Sequence, residues 1–241
     1  AVLEAGLFDR VFVQPAAGDA GAGLGAALWV GRGASGGSRR PLSNVFLGPS
    51  FDDSAITLAL DGARSSGCRV EWVSDPCERA ANLLAEGLVI AWFQGRMEFG
   101  PRALGARSIL ASPGEEATKT RVNTFIKQRE LFRPLAPAVL EEKAHDYLHL
   151  HKAGCDVYPF MLATAQVRVA ARSRLPAAVH VDGSARVQTV SRRDNPLFWQ
   201  LIRRFDEITG LPLVLNTSFN GIDEPIVCTP SDAVDAFLRL G

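Results

Sequence analysis

The sequence predicts an α/β domain in which helices cover a twisted, mixed sheet, and three observations support this class. Residues 196–209 carry large apolar side chains along one helical face and end at Gly210, the pattern of an amphipathic helix with a glycine stop. Residues 88–94 and 211–215 are continuous apolar runs, typical of strands buried in a sheet. Helical and strand patterns alternate over about 41–241. We therefore expect one α/β domain there.

Three further helices are predicted from composition and end signals. Residues 78–86 have helical composition and are closed by Gly87. Residues 115–127 have helical composition with apolar residues on one side. The last helix starts at Thr229-Pro230-Ser231-Asp232, which combines a capping arrangement with proline at the first helical position.

The remaining strands are predicted from shorter runs. Residues 135–140 and 160–169 are rich in apolar and β-prone side chains. In residues 180–190 the pair Asp182-Gly183 marks a turn, and Arg186 opens a strand.

The amino-terminal residues have a different character. Residues 7–14 are predicted as a strand, because apolar and β-prone side chains follow one another with no helix cap. Residues 15–31 are rich in glycine and alanine, which favours a turn followed by a tightly packed helix. Residues 31–40 contain glycine, serine and arginine with no apolar anchor, and we interpret them as a linker. This change of pattern predicts a piece of another domain before the α/β domain.

Overall composition excludes several classes of function. The chain has 241 residues, 47% of them hydrophobic, so it can bury an ordinary core. Its 26 Lys and Arg residues balance its 26 Asp and Glu residues, which argues against nucleic acid or a membrane surface as a partner. With no signal peptide or membrane-length apolar run apparent, we expect a cytoplasmic protein with reduced thiols.

Positive charge is concentrated in one stretch despite this balance. Eight basic and four acidic residues lie between Arg96 and Arg133, a net charge of +4. They form two clusters, at residues 95–108 and 127–134, in which glycine, proline and aromatic residues separate the arginines. Because a guanidinium binds phosphate oxygens in a bidentate way, the clusters favour a phosphate-binding site. A solvated basic surface is the alternative.

Two other segments are candidates for ligand contacts. Asn216, Thr217, Ser218 and Asn220 follow the strand at 211–215, where open α/β sheets place ligands, although an Asx-rich turn fits this segment better when it is taken alone. His180 is interpreted as a structural histidine. His145 and His149 have the spacing of two metal ligands on a helix, but we interpret them as exposed helix residues. No phosphate-binding loop of the GxxxxGK[ST] type is present.

Four motifs together resemble a known family. GRMEFGPRALGARSIL, NTFIKQRELFRPLAP, HVDGSARVQTV and LVLNTSFNGIDEPIV occur in the order and spacing of the carboxyl-terminal part of the O-carbamoyltransferases. That family includes nodulation-factor and antibiotic-tailoring enzymes such as tobramycin carbamoyltransferase. Residues 14–31 also resemble the end of the family's first domain.

The resemblance implies a fold, a reaction and a set of site residues. It implies that residues 1–38 are the end of an actin-like transferase domain with its linker, and that residues 39–241 form a YrdC-like domain. The YrdC-like domain makes carbamoyladenylate from carbamoyl phosphate and ATP, releasing pyrophosphate. By position, the catalytic residues implied are Lys127, Arg133, Arg102 and Arg107. The residues implied to bind substrate or nucleotide are Arg129, Arg186, Asn216 and Ser218.

The resemblance also implies cofactors and partners. ATP would be used with Mg²⁺, and Asp19 matches the last ligand of Fe²⁺ or another divalent metal in the transferase domain. The acceptor would be the hydroxyl group of a small natural product, and a homodimer is possible. Since the family's histidine ligands lie in a segment this chain lacks, we expect the chain alone not to carbamoylate an alcohol. The alternatives are an enzyme similar to threonylcarbamoyl-adenylate synthase and a non-catalytic nucleotide-binding module.

Overall fold

A five-stranded mixed sheet forms the centre of the molecule. The computed structural model describes residues 2–35, 44–154 and 156–240. The strands follow the order β1-β2-β8-β3-β7, and every neighbouring pair is antiparallel except β3 and β7, which are parallel. Their bounds are β1 Ile90–Phe93, β2 Arg107–Ala111, β3 Ala136–Leu140, β7 Gln188–Val190 and β8 Leu213–Ser218.

A smaller antiparallel sheet lies beside the first. It consists of β4 Leu148–His149, β5 Thr164–Val167 and β6 Ser184–Arg186, in that order. The chain passes from the small sheet to the large one at Val187, which is fully buried. Arg186 therefore ends β6, where we had expected it to open a strand, because the chain changes sheets directly after it.

Eight α-helices surround these sheets in the described residues. They are α1 Ala22–Ser35, α2 Asp53–Ser65, α3 Pro76–Ala85, α4 Glu116–Arg121, α5 Ala144–Tyr147, α6 Val169–Arg172, α7 Pro196–Thr209 and α8 Pro230–Leu240. A five-residue π-helix, Val122–Ile126, continues α4. The predicted helices at 78–86, 115–127, 196–209 and 229 onward are thus present.

Local signals set the ends of the two longest carboxyl-terminal helices. Asn195 accepts a hydrogen bond from the backbone N–H of Phe198 at the start of α7, and Gly210 ends it with a φ of +70°. At the start of α8, the Thr229 N–H donates to the Asp232 carboxylate, and the Asp232 N–H donates to the Thr229 hydroxyl. This reciprocal pair is the predicted cap.

The core has two main parts, one on each face of the large sheet. On one face, α3 and α7 pack against the sheet through fully buried side chains, including Leu84, Leu201 and Phe205. On the other face, the small sheet and its neighbouring helices bury Leu148, Tyr158 and others against it. The result is a layered α/β domain, as predicted.

Some predicted elements differ from the structure. Residues 7–14 form no strand: Val11 makes one backbone hydrogen bond, to the Ala153 carbonyl, and no neighbouring strand pairs with the segment. β-propensity alone does not create a strand without a pairing edge. The strand predicted at 160–169 is confined to β5. The run at 88–94 forms β1, but it is an edge strand and only partly buried.

The linker predicted at 31–40 is also partly different. Residues 31–35 continue α1, and residues 36–40 lie outside the described residues. Residues 2–16 contact the α/β domain: Arg10 forms an ion pair with Asp156, and Leu3 packs against the core. The boundary predicted at 38/39 stays a prediction.

Two absences apply to the described part of the chain. No helix there is long and apolar enough to cross a membrane. The described cysteines Cys68, Cys77 and Cys228 are free.

Candidate functional site

Lys127 joins the second basic cluster to the segment that follows β8. Its Nζ donates to the Ser218 carbonyl at 2.9 Å, and to the Asn220 carbonyl at 2.9 Å and Oδ1 at 2.6 Å. The Ser218 hydroxyl lies 3.2 Å from the same nitrogen. Burial, reinforced by the charge of Arg129 and opposed by Glu224, lowers the pKa of Lys127 to about 8. The amine is therefore mostly a cation at neutral pH, and it is surrounded by oxygens of Ser218 and Asn220.

Three arginines from different parts of the chain, Arg102, Arg129 and Arg186, lie near one another. Arg186 is half-buried at the end of β6, and its Nε is shielded from solvent without a hydrogen-bond partner. Burial and the charges of Arg102 and Arg129 lower its pKa to about 10. Within the described chain, no carboxylate forms an ion pair with any of the three. A partly buried group of cations with no ion-pair partner favours binding of an anionic ligand.

The loop that carries Arg129 is fixed by one buried amide. Asn123 lies in the π-helix and is fully buried. Its Oδ1 accepts from Arg129 Nε at 2.8 Å, and its Nδ2 donates to the Arg133 carbonyl at 2.8 Å. Arg133 itself is about half exposed and pairs with Glu130 at 2.9 Å. Arg129 is thus oriented by the fold, whereas Arg133 lies at the surface.

An open cavity of about 570 Å³ adjoins these arginines. Arg102, Thr164 and Arg186 form part of its polar wall, while Val11 and Val13 of the amino-terminal segment line the other side. A volume of this order accommodates a small organic ligand. The cavity therefore places a mixed polar and apolar surface beside the cations.

Asn216 and Ser218 both lie on β8 but differ in their contacts. Asn216 is 1% exposed; its Nδ2 donates to Gln188 Oε1 at 2.8 Å, and its Oδ1 has no hydrogen-bond partner. The Ser218 hydroxyl donates to Asn220 Oδ1 at 2.6 Å. Ser218 thus joins the oxygens around Lys127, while Asn216 presents a buried, unpaired acceptor.

Arg107 is not brought to this group. It lies on β2, where its side chain points away from that of the neighbouring Ser108, the residue that pairs with Ser218. It is fully buried, and its guanidinium lies 3.6 Å from the Phe93 ring centroid. The guanidinium donates to four backbone carbonyls, those of Gln94, Gly95, Ala106 and Cys228.

Comparison with known proteins decides which family this is. Residues 81–241, well over half of the chain, match the family model described as "Carbamoyltransferase C-terminus". The chain belongs to the carbamoyltransferase family. It is 47% identical to nodulation protein NolO of Bradyrhizobium diazoefficiens over 98% of this chain and 43% of that protein. It is 46% identical to nodulation protein NolNO of Sinorhizobium fredii over 98% of this chain and 35% of that protein.

The fold of this carbamoyltransferase chain also has a solved counterpart. The crystal structure of full-length HypF in its phosphate- and nucleotide-bound form matches with a TM-score of 0.52 and 15% identity, over 72% of this chain and 21% of that one. This similarity supports the predicted YrdC-like α/β fold class, with its mixed sheet. The chain spans less than half the length of the curated relatives named above.

Glu98 is a buried residue of the carbamoyltransferase chain that the sequence patterns did not single out. Its Oε1 accepts from the Leu104 and Ala106 backbone N–H groups, both at 2.6 Å, and fixes the turn that follows Arg102. Asn123 and Gln188 were missed for the same reason. Each is one polar residue within a longer motif, and only its buried hydrogen bonds reveal its role. The one available signal was that Glu98 is the sole acid in its cluster.

The described residues do not by themselves provide the metal site of the resemblance. No group of three or more His, Cys, Asp or Glu side chains among them is arranged to hold a metal ion. Asp19 is exposed and begins a single 3₁₀ turn, Asp19–Gly21. His145 lies in α5 and His149 in β4, and both are exposed. Because these residues do not fit a metal, we derive no step through one.

Proposed function

We propose that this chain forms carbamoyladenylate from carbamoyl phosphate and ATP. The observation that carries the proposal is the group of Arg102, Arg129 and Arg186, with none of which a described carboxylate forms an ion pair. Membership of the carbamoyltransferase family supplies the carbamoyl group as the substrate class. Both substrates are polyanions, so the positive charge of the three arginines can bind both.

The chemistry proposed needs charge neutralisation more than it needs a protein nucleophile. Carbamoyl phosphate and one water give carbamate and inorganic phosphate. A carbamate oxygen then attacks the α-phosphorus of ATP, the bond from that phosphorus to the bridging oxygen breaks, and pyrophosphate leaves. Negative charge gathers on phosphate oxygens throughout, and fixed cations stabilise it without reorganisation. ATP would arrive as its Mg²⁺ complex.

Each side chain has a role in this proposal that follows from its surroundings. Arg102 and Arg186 line the cavity and contact phosphate oxygens there. Arg129, oriented by Asn123, extends the positive surface toward Lys127. Lys127 has the least capacity to bind a substrate, because its N–H groups already have oxygen acceptors. It holds the turn after β8 in place and adds a positive charge.

The test is pyrophosphate release from Mg–ATP by the purified chain, with and without carbamoyl phosphate. We expect release only when both are present. ATP binding without carbamoyl-phosphate-dependent release would favour a non-catalytic nucleotide-binding module. Release that depends on threonine and bicarbonate would favour the reaction of threonylcarbamoyl-adenylate synthase.

We also propose that the carbamoyl group passes onward to a hydroxyl of a small natural product. The support is the similarity to nodulation proteins. For the chain alone we expect no carbamate ester when it is mixed with carbamoyladenylate and an alcohol; chromatography measures this, and ester formation would show that the residues present here suffice for the transfer.

A further inference from the structure

His180 occupies a defined place beside Arg186. Its Nδ1 lies 3.1 Å from the Ser184 hydroxyl oxygen. Ser184 and Arg186 are two residues apart on β6, so their side chains project from the same face of that strand. The imidazole therefore lies on the face that carries Arg186. Electrostatic interaction between His180 and Arg186 agrees with this placement.

The hydrogen bonds around the ring fix its tautomer. The Ser184 hydroxyl donates its proton to Asp182 Oδ1 at 2.7 Å. Its oxygen can then only accept from His180, so Nδ1 carries the hydrogen. Burial, together with the charges of Lys119 and Arg186 and against that of Asp182, lowers the pKa of His180. The ring is thus neutral at physiological pH, and Nε2 carries a lone pair.

This lone pair has no hydrogen-bond partner. His180 Nε2 is shielded from solvent and unpaired, as is Nε of Arg186. One face of β6 thus holds an unused acceptor and an unused donor. The opposite positions on β5, Thr164 and Gln166, are exposed, and Thr164 lines the cavity together with Arg186.

We propose that His180 recognises the amine of the carbamoyl group, its Nε2 accepting a hydrogen bond from the carbamoyl N–H while Arg186 binds oxygens of the attached phosphate. The inference rests on the proposed function. A carbamoyl phosphate presents an N–H donor only a few bonds from an oxyanion, which matches an acceptor and a donor on one face. It makes His180 the residue that distinguishes a carbamoyl from an acyl phosphate.

The experiment compares carbamoyl phosphate with acetyl phosphate, in which a methyl group replaces the amine. In carbamoyl-phosphate-dependent pyrophosphate release, we measure the half-saturating concentration of carbamoyl phosphate and the inhibition constant of acetyl phosphate. We expect His180→Phe to raise the half-saturating concentration of carbamoyl phosphate about tenfold, which is the contribution of one hydrogen bond. The inhibition constant of acetyl phosphate should stay unchanged. His180→Gln, whose amide oxygen replaces the acceptor, should recover most of the loss. His149→Phe, at an exposed histidine, is the matched control.

The outcomes separate the two proposals. If the wild-type chain releases no pyrophosphate, the proposed function falls and this inference with it. If the wild type is active but His180→Phe changes both constants equally, or neither, only the assignment of His180 is overturned. A second measurement does not depend on the folding of a variant: the ¹⁵N resonance of His180 Nε2, one of four histidines, should shift with carbamoyl phosphate and not with acetyl phosphate.

Discussion

Arg107 is fully buried and Arg186 is half-buried, and their surroundings are opposite. Arg107 is saturated by the protein, since four carbonyls accept from it and the Phe93 ring lies against it. Arg186 has an unpaired Nε and two arginines nearby. Burial lowers the pKa of each, so the pKa direction does not separate them. Their hydrogen-bond partners separate them. A cation whose N–H groups all have acceptors in the protein stabilises the fold, whereas one with an unpaired N–H can still bind a ligand.

The largest effect tests the saturated arginine. Arg107→Met leaves the carbonyls of Gln94, Gly95 and Cys228 without this donor in a buried place, while the Ala106 carbonyl keeps the Gln94 N–H. We expect the free energy of unfolding in urea to fall by about 3 kcal/mol or more, since each unpaired buried group costs roughly 1–3 kcal/mol. Arg79→Ala, at an exposed helix position, is the control and should stay within about 0.5 kcal/mol of wild type. Equal losses in the two variants would contradict the structural role of Arg107.

The second test concerns Arg186, for which we expect a loss of activity without a loss of stability. Arg186→Met removes a cation that lacks a described carboxylate partner, so the unfolding free energy should stay equal or rise. The rate of carbamoyl-phosphate-dependent pyrophosphate release should fall on the order of 10²–10³-fold. Urea unfolding and the pyrophosphate assay, run on one preparation, check both statements. A variant that is destabilised like Arg107→Met would remove the distinction between the two regions.

A pH profile refines the comparison at Lys127. Its folded pKa of about 8 lies below the value of 10.5 for an exposed lysine, so the folded protein loses this proton first. We expect kcat/KM for ATP to fall as pH rises through about 8, by up to about tenfold per pH unit. The unfolding free energy should rise between about pH 8 and 10.5, where the unfolded chain still holds the proton. Lys127→Arg, which keeps its charge, should lack both trends.

The smallest effect is expected at Arg133. Its side chain is 54% exposed and paired with an equally exposed Glu130, so solvent screens its charge. Arg133→Ala should lower pyrophosphate release by less than about tenfold, because exposed charges contribute little. Glu130→Gln removes the partner and serves as a control that should leave the rate near wild type. A loss for Arg133→Ala as large as that for Arg186→Met would show that Arg133 moves into the site on ligand binding.

The sequence by itself determined α1, α3, α4, α7 and α8 and most of the large sheet, whereas α2, β2 and the short helices α5 and α6 were not predicted. The α7 and α8 signals are local: an apolar face, a capping side chain and a glycine or proline within one or two turns. The strands at 135–140 and 211–215 were identified because burial on both faces demands continuous apolar residues. Residues 7–14 were misread since a strand also needs a neighbour, and no local pattern specifies one.

The motifs located the basic clusters, but tertiary structure alone decided what each charge does. Arg102 and Arg107 lie five residues apart in one motif, yet the Arg107 guanidinium is held by buried backbone carbonyls next to the Phe93 ring. Arg102 instead lines the cavity with Arg186, far away in sequence. Most of the groups around each cation come from distant segments: the carbonyls of Gln94, Gly95 and Cys228 for Arg107, and the side chains of Arg102 and Arg129 for Arg186. Strand register and packing set those distances, and composition carries no information about them.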